Sequence, residues 1–177
     1  KKRRKTALYR LNLVLPEGVN RRARQPETKS KKLWVNAMSV GEVISAMPLI
    51  RQLKASVPDA AITFTVSTLT GYQTARQMLA KDVNEICFYP YDLPLPVKSI
   101  ADRIRPDLCL LVESDCWPIF LNEMKKRNIP LVFVNARLSD RTFSSWMKMR
   151  WLAWIMFSPF SHICVQCDED ARRFQSL

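Results

Sequence analysis

Two glutamates stand where a carboxylate could do chemistry. Glu42 follows Ser39-Val40-Gly41, where an apolar run ends and a helical pattern begins, and Glu113 closes the apolar run DLCLLVE. A carboxylate in the first turn of a helix meets the positive end of the helix dipole, which favours its ionised form. Held at the mouth of a cleft, it can accept a proton from a substrate hydroxyl. The same charge repels phosphate, so this turn differs from the glycine-rich turns that close backbone N–H groups on a nucleotide. No GxGxxG fingerprint is present either.

Polar residues recur just past each apolar run: Ser39 and Gly41, Ser67-Thr68 with Thr70-Gly71, Tyr91-Asp92, Ser114-Asp115, and Asn135 to Ser139 with Arg137. A hydroxyl-rich rim with carboxylates and an arginine suits a sugar or other polyol, which needs many directional hydrogen bonds. Taken singly, Ser, Thr, Asp and Asn at such places are N-caps and turn formers. Glutamate is not a preferred residue of either kind, so Glu42 and Glu113 stand out. No metal or cofactor is expected. His162 is the single histidine, and the Cys164/Cys167 pair beside it lacks further ligands nearby.

These residues need a scaffold, and the rest of the chain supplies one. Strand candidates at 33–38, 61–66, 84–89, 107–113, 130–135 and 162–166 are apolar nearly throughout, as strands covered on both faces are. Helical patterns at 42–56, 71–81, 95–105, 118–127, 141–157 and 168–176 alternate with them. The alternation predicts an α/β fold: a Rossmann-like, doubly wound parallel sheet with right-handed crossovers. Ligands of such sheets bind at the carboxyl ends of the strands, the edge that carries the polar rim. Pro48 lacks the N–H that would bond to Ile44 and is expected to bend the first helix.

Charge divides the chain unevenly. Residues 1–32, beginning KKRRK, hold 12 Lys/Arg against 2 Glu, a net +10, whereas residues 33–177 carry a net +2. The expected organisation is a basic, partly flexible, membrane-proximal arm over 1–32 and a folded domain over 33–177. Such an arm attracts polyanions, either an anionic membrane surface or nucleic acid. The five cysteines have no disulfide-framework spacing and read as reduced thiols in a cytosolic context. No apolar run reaches the ~18 residues that span a bilayer. Starting at Lys and stopping soon after a strand, the chain is expected to be part of something longer.

The stretches SVGEVISAMPLIRQL, STLTGYQTA, YPYDLP, ESDCWP, RNIPLVFVNARLS and CVQCDEDARRF resemble the N-terminal half of the Kdo transferases. That family adds 3-deoxy-D-manno-oct-2-ulosonic acid (Kdo) to lipid A precursor. The resemblance implies a metal-independent GT-B glycosyltransferase whose N-terminal domain takes the lipid A precursor acceptor. A donor domain beyond residue 177 would bind CMP-Kdo, so the fragment alone would be inactive. It carries the general-base role to Glu42 and a second functional carboxylate to Glu113. Ser39, Gly41, Thr70, Gly71, Arg137 and Ser139 fall in the matching motifs as substrate-binding candidates. Asp115 stands where the family has a second Glu, and Leu69 where it has a proline. The implied location is peripheral, on the cytoplasmic face of the bacterial inner membrane, with no nucleic-acid partner. Residues 143–160, rich in Trp and Met with Lys148 and Arg150 interleaved, fit either a membrane-interface helix or a core helix. The competing reading is a basic-armed nucleic-acid-binding module; the near-neutral body and carboxylate-rich edge argue against it.

Overall fold

The computed structural model describes residues 6–7, 9–11, 30–113 and 116–177. Strands and helices alternate from Lys32 onward. In chain order they are β1 (Lys32–Asn36), α1 (Val40–Ser56), β2 (Ala61–Val66), α2 (Leu69–Met78), β3 (Glu85–Phe88), α3 (Pro94–Ile104) and β4 (Leu108–Val112). There follow α4 (Pro118–Lys126), β5 (Leu131–Ala136), α5 (Asp140–Lys148), α6 (Arg150–Phe157), β6 (His162–Val165) and α7 (Asp168–Ser176). The six strands form one sheet in the order β3-β2-β1-β4-β5-β6, and every pairing is parallel. Chain direction across the sheet therefore reverses between β1 and β4.

Side chains of a strand alternate between faces, and here the alternation sorts the core into two layers. Leu33, Val35, Leu110 and Val112 point to the face covered by α1 and α2. Trp34, Cys109 and Leu111 point to the opposite face, beneath α3 and α4. Helices on both faces make the fold the doubly wound, Rossmann-like sheet expected from the apolar strands. Trp34, 1% exposed, packs edge-on against Phe120 at 5.1 Å and donates its indole N–H to Thr65 Oγ1 at 2.9 Å. The Thr65 hydroxyl donates in turn to Asn36 Oδ1 at 3.0 Å, so the polar atoms of this central layer are satisfied inside it.

Three boundaries differ from expectation. β1 begins at Lys32, whose N–H is taken by Asp107, so the folded body starts one residue inside the predicted arm. α1 begins at Val40, which places Gly41 within its first turn instead of in the turn before it, and the helix continues through Pro48. The predicted helix 141–157 is two helices, broken at Met149 (φ −128°, ψ 51°). The break lets α6 turn so that Ala153 and Met156 lie buried on the core. Within the arm, Tyr9 stacks on Phe88 at 5.2 Å, and the Arg10 guanidinium donates to the Tyr89 carbonyl at 3.2 Å and lies over the Tyr91 ring. The leading KKRRK and Gly18 lie outside the described residues.

Cys87 and Cys109 are buried, and Cys164 and Cys167 are exposed. Burial pushes the Cys87 thiol from about 9 up to about 12, with the Glu85 charge acting the same way, and burial raises the Cys109 thiol as well. The folded state holds these protons more tightly than the unfolded chain. Their contribution to stability is therefore complete below the unfolded thiol value and falls as pH rises through and beyond it. The melting temperature is expected to decline with pH above about 9. At about pH 8, a thiol reagent should modify Cys164 and Cys167 and spare Cys87 and Cys109 until the domain unfolds. Labelling of all these positions at equal rates would contradict the packing described.

Candidate active site

The point where strand order reverses is where open parallel sheets bind ligands, because the loops on either side leave in opposite directions. Here those loops follow β1 and β4. The first runs to α1 on one face, and the second to α4 on the other. Trp117 in the second donates its indole N–H to Met38 Sδ in the first at 3.4 Å, joining the two across the switch point. Glu42 stands beside one loop and Glu113 ends the strand before the other.

Glu42 is half-buried and held by its own turn. Ser39 is the N-cap of α1, and its Oγ accepts from the Glu42 N–H at 3.4 Å. The carboxylate reaches back: Oε2 accepts from the Met38 N–H at 2.6 Å, and Oε1 from the Ser39 hydroxyl at 3.1 Å. Ser39-x-x-Glu42 is thus a variant of the capping box, its return bond reaching one residue before the N-cap. The S-x-x-E spacing carried this signal in the sequence, where Glu42 was weighed only as an N-cap or turn former. Two bonds fix the orientation of the carboxylate at the helix N-terminus.

Glu113 is exposed and adopts φ 50°, a left-handed conformation that costs a non-glycine residue roughly 1 kcal/mol. Its Oε1 accepts from Ser45 Oγ at 2.7 Å and from the Asn135 side-chain amide. Ser45 was absent from the sequence-based candidates. It lies three residues past Glu42, the helical spacing that puts both side chains on one face of α1.

The remaining candidates divide. Gly41 is exposed, and a Cβ there would meet only Ser39 Oγ, at 3.9 Å. Gly71 is buried: a Cβ would sit 2.9 Å from Thr68 Oγ1 and 3.6–3.7 Å from the backbone of Ser39 and Met38. Its observable role is to let α2 close on the turn that holds Glu42. Thr68 caps α2 by accepting from the Gly71 N–H at 3.1 Å, and Thr70 is exposed beside it. Arg137 and Ser139 are exposed on the loop after β5, where Ser139 caps α5. That loop is held from behind: Asp170, 5% exposed, accepts from the Leu138 N–H at 2.8 Å, and Arg173 donates to the Leu138 carbonyl. Asp92 of the polar rim is a structural cap, accepting from the N–H groups of Ile119 and Phe120 at the start of α4. Ser114 and Asp115 lie outside the described residues. Among the described residues no three His, Cys, Asp or Glu side chains are grouped to hold a metal ion.

The surface beyond the rim has its own character. α6 buries Ala153 and Met156 but exposes Trp151 (68%), Trp154 (64%) and Ile155 (47%). Exposed Lys148 and Arg150 flank this face, and exposed Lys125 shares a groove with Trp154 and Ile155. The two alternatives for residues 143–160 are thus both met, on opposite sides of one helix. No described helix is long and apolar enough to cross a membrane.

Known proteins support the same architecture. UDP-N-acetylglucosamine 2-epimerase from Neisseria meningitidis, solved with UDP-GlcNAc, superposes with a TM-score of 0.58 at 12% identity over 82% of this chain and 43% of its own. The epimerase from Listeria monocytogenes gives 0.59 at 11% identity, over 84% and 43% of the two chains. This likeness is one of fold. Sequence relatives are more specific. The 3-deoxy-D-manno-octulosonic acid transferase of Haemophilus influenzae is 34% identical over 173 residues, which cover 98% of this chain and 40% of that protein. The Rickettsia typhi protein of the same name is 31% identical over 145 residues, 82% of this chain and 31% of its own length. The chain therefore spans two-fifths or less of these relatives. Residues 17–177 match the family described as 3-deoxy-D-manno-octulosonic-acid transferase (kdotransferase), and with the doubly wound sheet and its two carboxylates in place, the chain belongs to that family.

Proposed function

We propose that this chain is the acceptor-binding domain of a glycosyltransferase that moves Kdo from CMP-Kdo to lipid A precursor in lipopolysaccharide synthesis. Glu42 acts as the general base, drawing the proton from an acceptor hydroxyl as it attacks the anomeric carbon of Kdo. The C–O bond to CMP breaks on the opposite face, and CMP leaves with its electron pair. Base assistance of this kind is worth ~10²–10⁴ in rate, and alignment of acceptor and donor supplies much of the rest. Glu113 is the second carboxylate at the acceptor. Ser39, Gly41, Thr70 and Gly71 on one side, and Arg137 and Ser139 on the other, form the rim that receives the acceptor's polar groups. CMP-Kdo is held by a separate donor domain of the full-length protein.

The single observation that carries this reading is the placement of Glu42 and Glu113 on either side of the strand-order reversal between β1 and β4. For location, the basic arm and the Trp151–Trp154 face dock peripherally on the anionic cytoplasmic leaflet of the inner membrane. In the test, CMP-Kdo and lipid A precursor are supplied to the full-length protein and, separately, to residues 1–177. The full-length protein is expected to transfer Kdo and the isolated chain to be inactive. Turnover by residues 1–177 alone would remove the separate donor domain. Salt-dependent binding of RNA or DNA, with no transfer by the full-length protein, would favour the nucleic-acid reading instead.

A further inference from the structure

Four described non-glycine residues have positive φ, and two of them need no special account. Arg105 (φ 49°) and Asn128 (φ 55°) end α3 and α4, where a left-handed residue is a common stop. Glu113 (φ 50°) and Asn135 (φ 57°) end no helix. They sit at the carboxyl ends of β4 and β5, adjacent strands of the sheet, and their side chains meet. Left-handed backbone away from helix ends persists where the surroundings over-determine it, and such places cluster at functional sites.

Asn135 is special in a second, independent way. β5 pairs with β6 as Val134 to Cys164 and Ala136 to Val165, so Asn135 is the extra residue of a β-bulge. A bulge re-aims the side chain it carries. This one sends the Asn135 amide to Glu113 and, at 3.1 Å, to Ser45 Oγ. The Ser45 hydroxyl accepts that bond and donates its own hydrogen to Glu113 Oε1 at 2.7 Å. Three elements thus converge on one carboxylate oxygen: α1 through Ser45, β5 through Asn135, and β4 through Glu113 itself. Among the described residues, Oε2 of Glu113 makes no hydrogen bond, so the two donors fix one oxygen and leave the other facing outward.

We infer that Ser45 and Asn135 are positioning residues. They hold the Glu113 carboxylate in one orientation at the strand-order reversal, and the β5 bulge is the backbone device that aims Asn135 at it. The inference rests on the reading of Glu113 as a functional carboxylate of the transfer reaction. An exposed carboxylate on a long side chain samples several rotamers. Two donors on one oxygen remove that freedom before substrate arrives, which is how preorganisation enters a rate.

The test uses the full-length enzyme with Ser45→Ala, Ser45→Thr, Asn135→Gly and Glu113→Gln, reading kcat, KM for the acceptor and melting temperature. Glycine adopts the left-handed conformation at no steric cost, so Asn135→Gly removes the amide and leaves the bulge. Ser45→Ala and Asn135→Gly are each expected to lower kcat by about 10- to 100-fold with little change in melting temperature. Ser45→Thr, which keeps the hydroxyl, should recover most of the loss. In a Glu113→Gln background neither substitution should lower kcat further, because residues acting through one group are not additive. Full activity of Ser45→Ala and Asn135→Gly beside an inactive Glu113→Gln would overturn the positioning role while sparing Glu113. Normal activity of Glu113→Gln would overturn the reading beneath it. Losses that multiply in the Glu113→Gln background, or that follow a falling melting temperature, would also overturn the inference.

Discussion

Replacing Glu42 by glutamine in the full-length enzyme is expected to lower kcat for Kdo transfer by about 10²–10⁴-fold while the melting temperature hardly moves. The two halves of that expectation come from different atoms. Gln is the other residue that closes a capping box, since its side-chain carbonyl can accept the Met38 N–H as Glu42 Oε2 does. The helix start, and with it the first turn of α1, therefore survives. What is lost is the basic oxygen, because an amide does not take a proton from an alcohol. Glu42→Ala separates the roles from the other side. It removes base and cap together and should cost a further ~0.5–2 kcal/mol of stability, the range for a lost cap. For a domain of this size that is a fall of several degrees. Near-normal kcat in Glu42→Gln with a lowered melting temperature in Glu42→Ala would make Glu42 a capping residue alone.

The second large effect is expected at the membrane. Trp151 and Trp154 are about two-thirds exposed, so replacing both by Ala should leave the fold intact. Each buries an aromatic ring when the face meets an interface, and together they are expected to account for roughly 10²-fold in partitioning onto vesicles containing anionic phospholipid. Lys148 and Arg150 beside them add about 1 kcal/mol each at an anionic surface. Raising the salt concentration should thus weaken wild-type binding without abolishing it, and purely zwitterionic vesicles should bind more weakly. Cosedimentation of wild type and the double variant measures this directly. Undiminished binding of the double variant would move the attachment to the basic arm.

The sheet was legible because its strands are apolar on both faces, a pattern no exposed segment of this chain shares. Sites that depend on pairing between distant segments were less so. The Asn135 bulge is one extra residue at the end of β5, decided by its register against β6, and nothing in NARLS announces it. The break at Met149 has no Pro or Gly behind it; it follows from how α6 must turn to bury Ala153 and Met156. Ser45 was hidden differently. It looks like an ordinary helix residue until β4 and β5 bring their ends against α1. Glu42 was found for its charge, yet its cap bonds were overlooked although the spacing shows them. Asp92, by contrast, looked like rim chemistry, and only the fold reveals that it serves the start of α4.

Asp170 and Arg173 grip both backbone polar groups of Leu138, and Arg173 also pairs with Asp140 and Glu169. The segment presenting Arg137 and Ser139 is thus rigid before anything docks there. An incoming sugar phosphate would meet a template already cast, and association would forfeit little chain entropy at that side of the cleft.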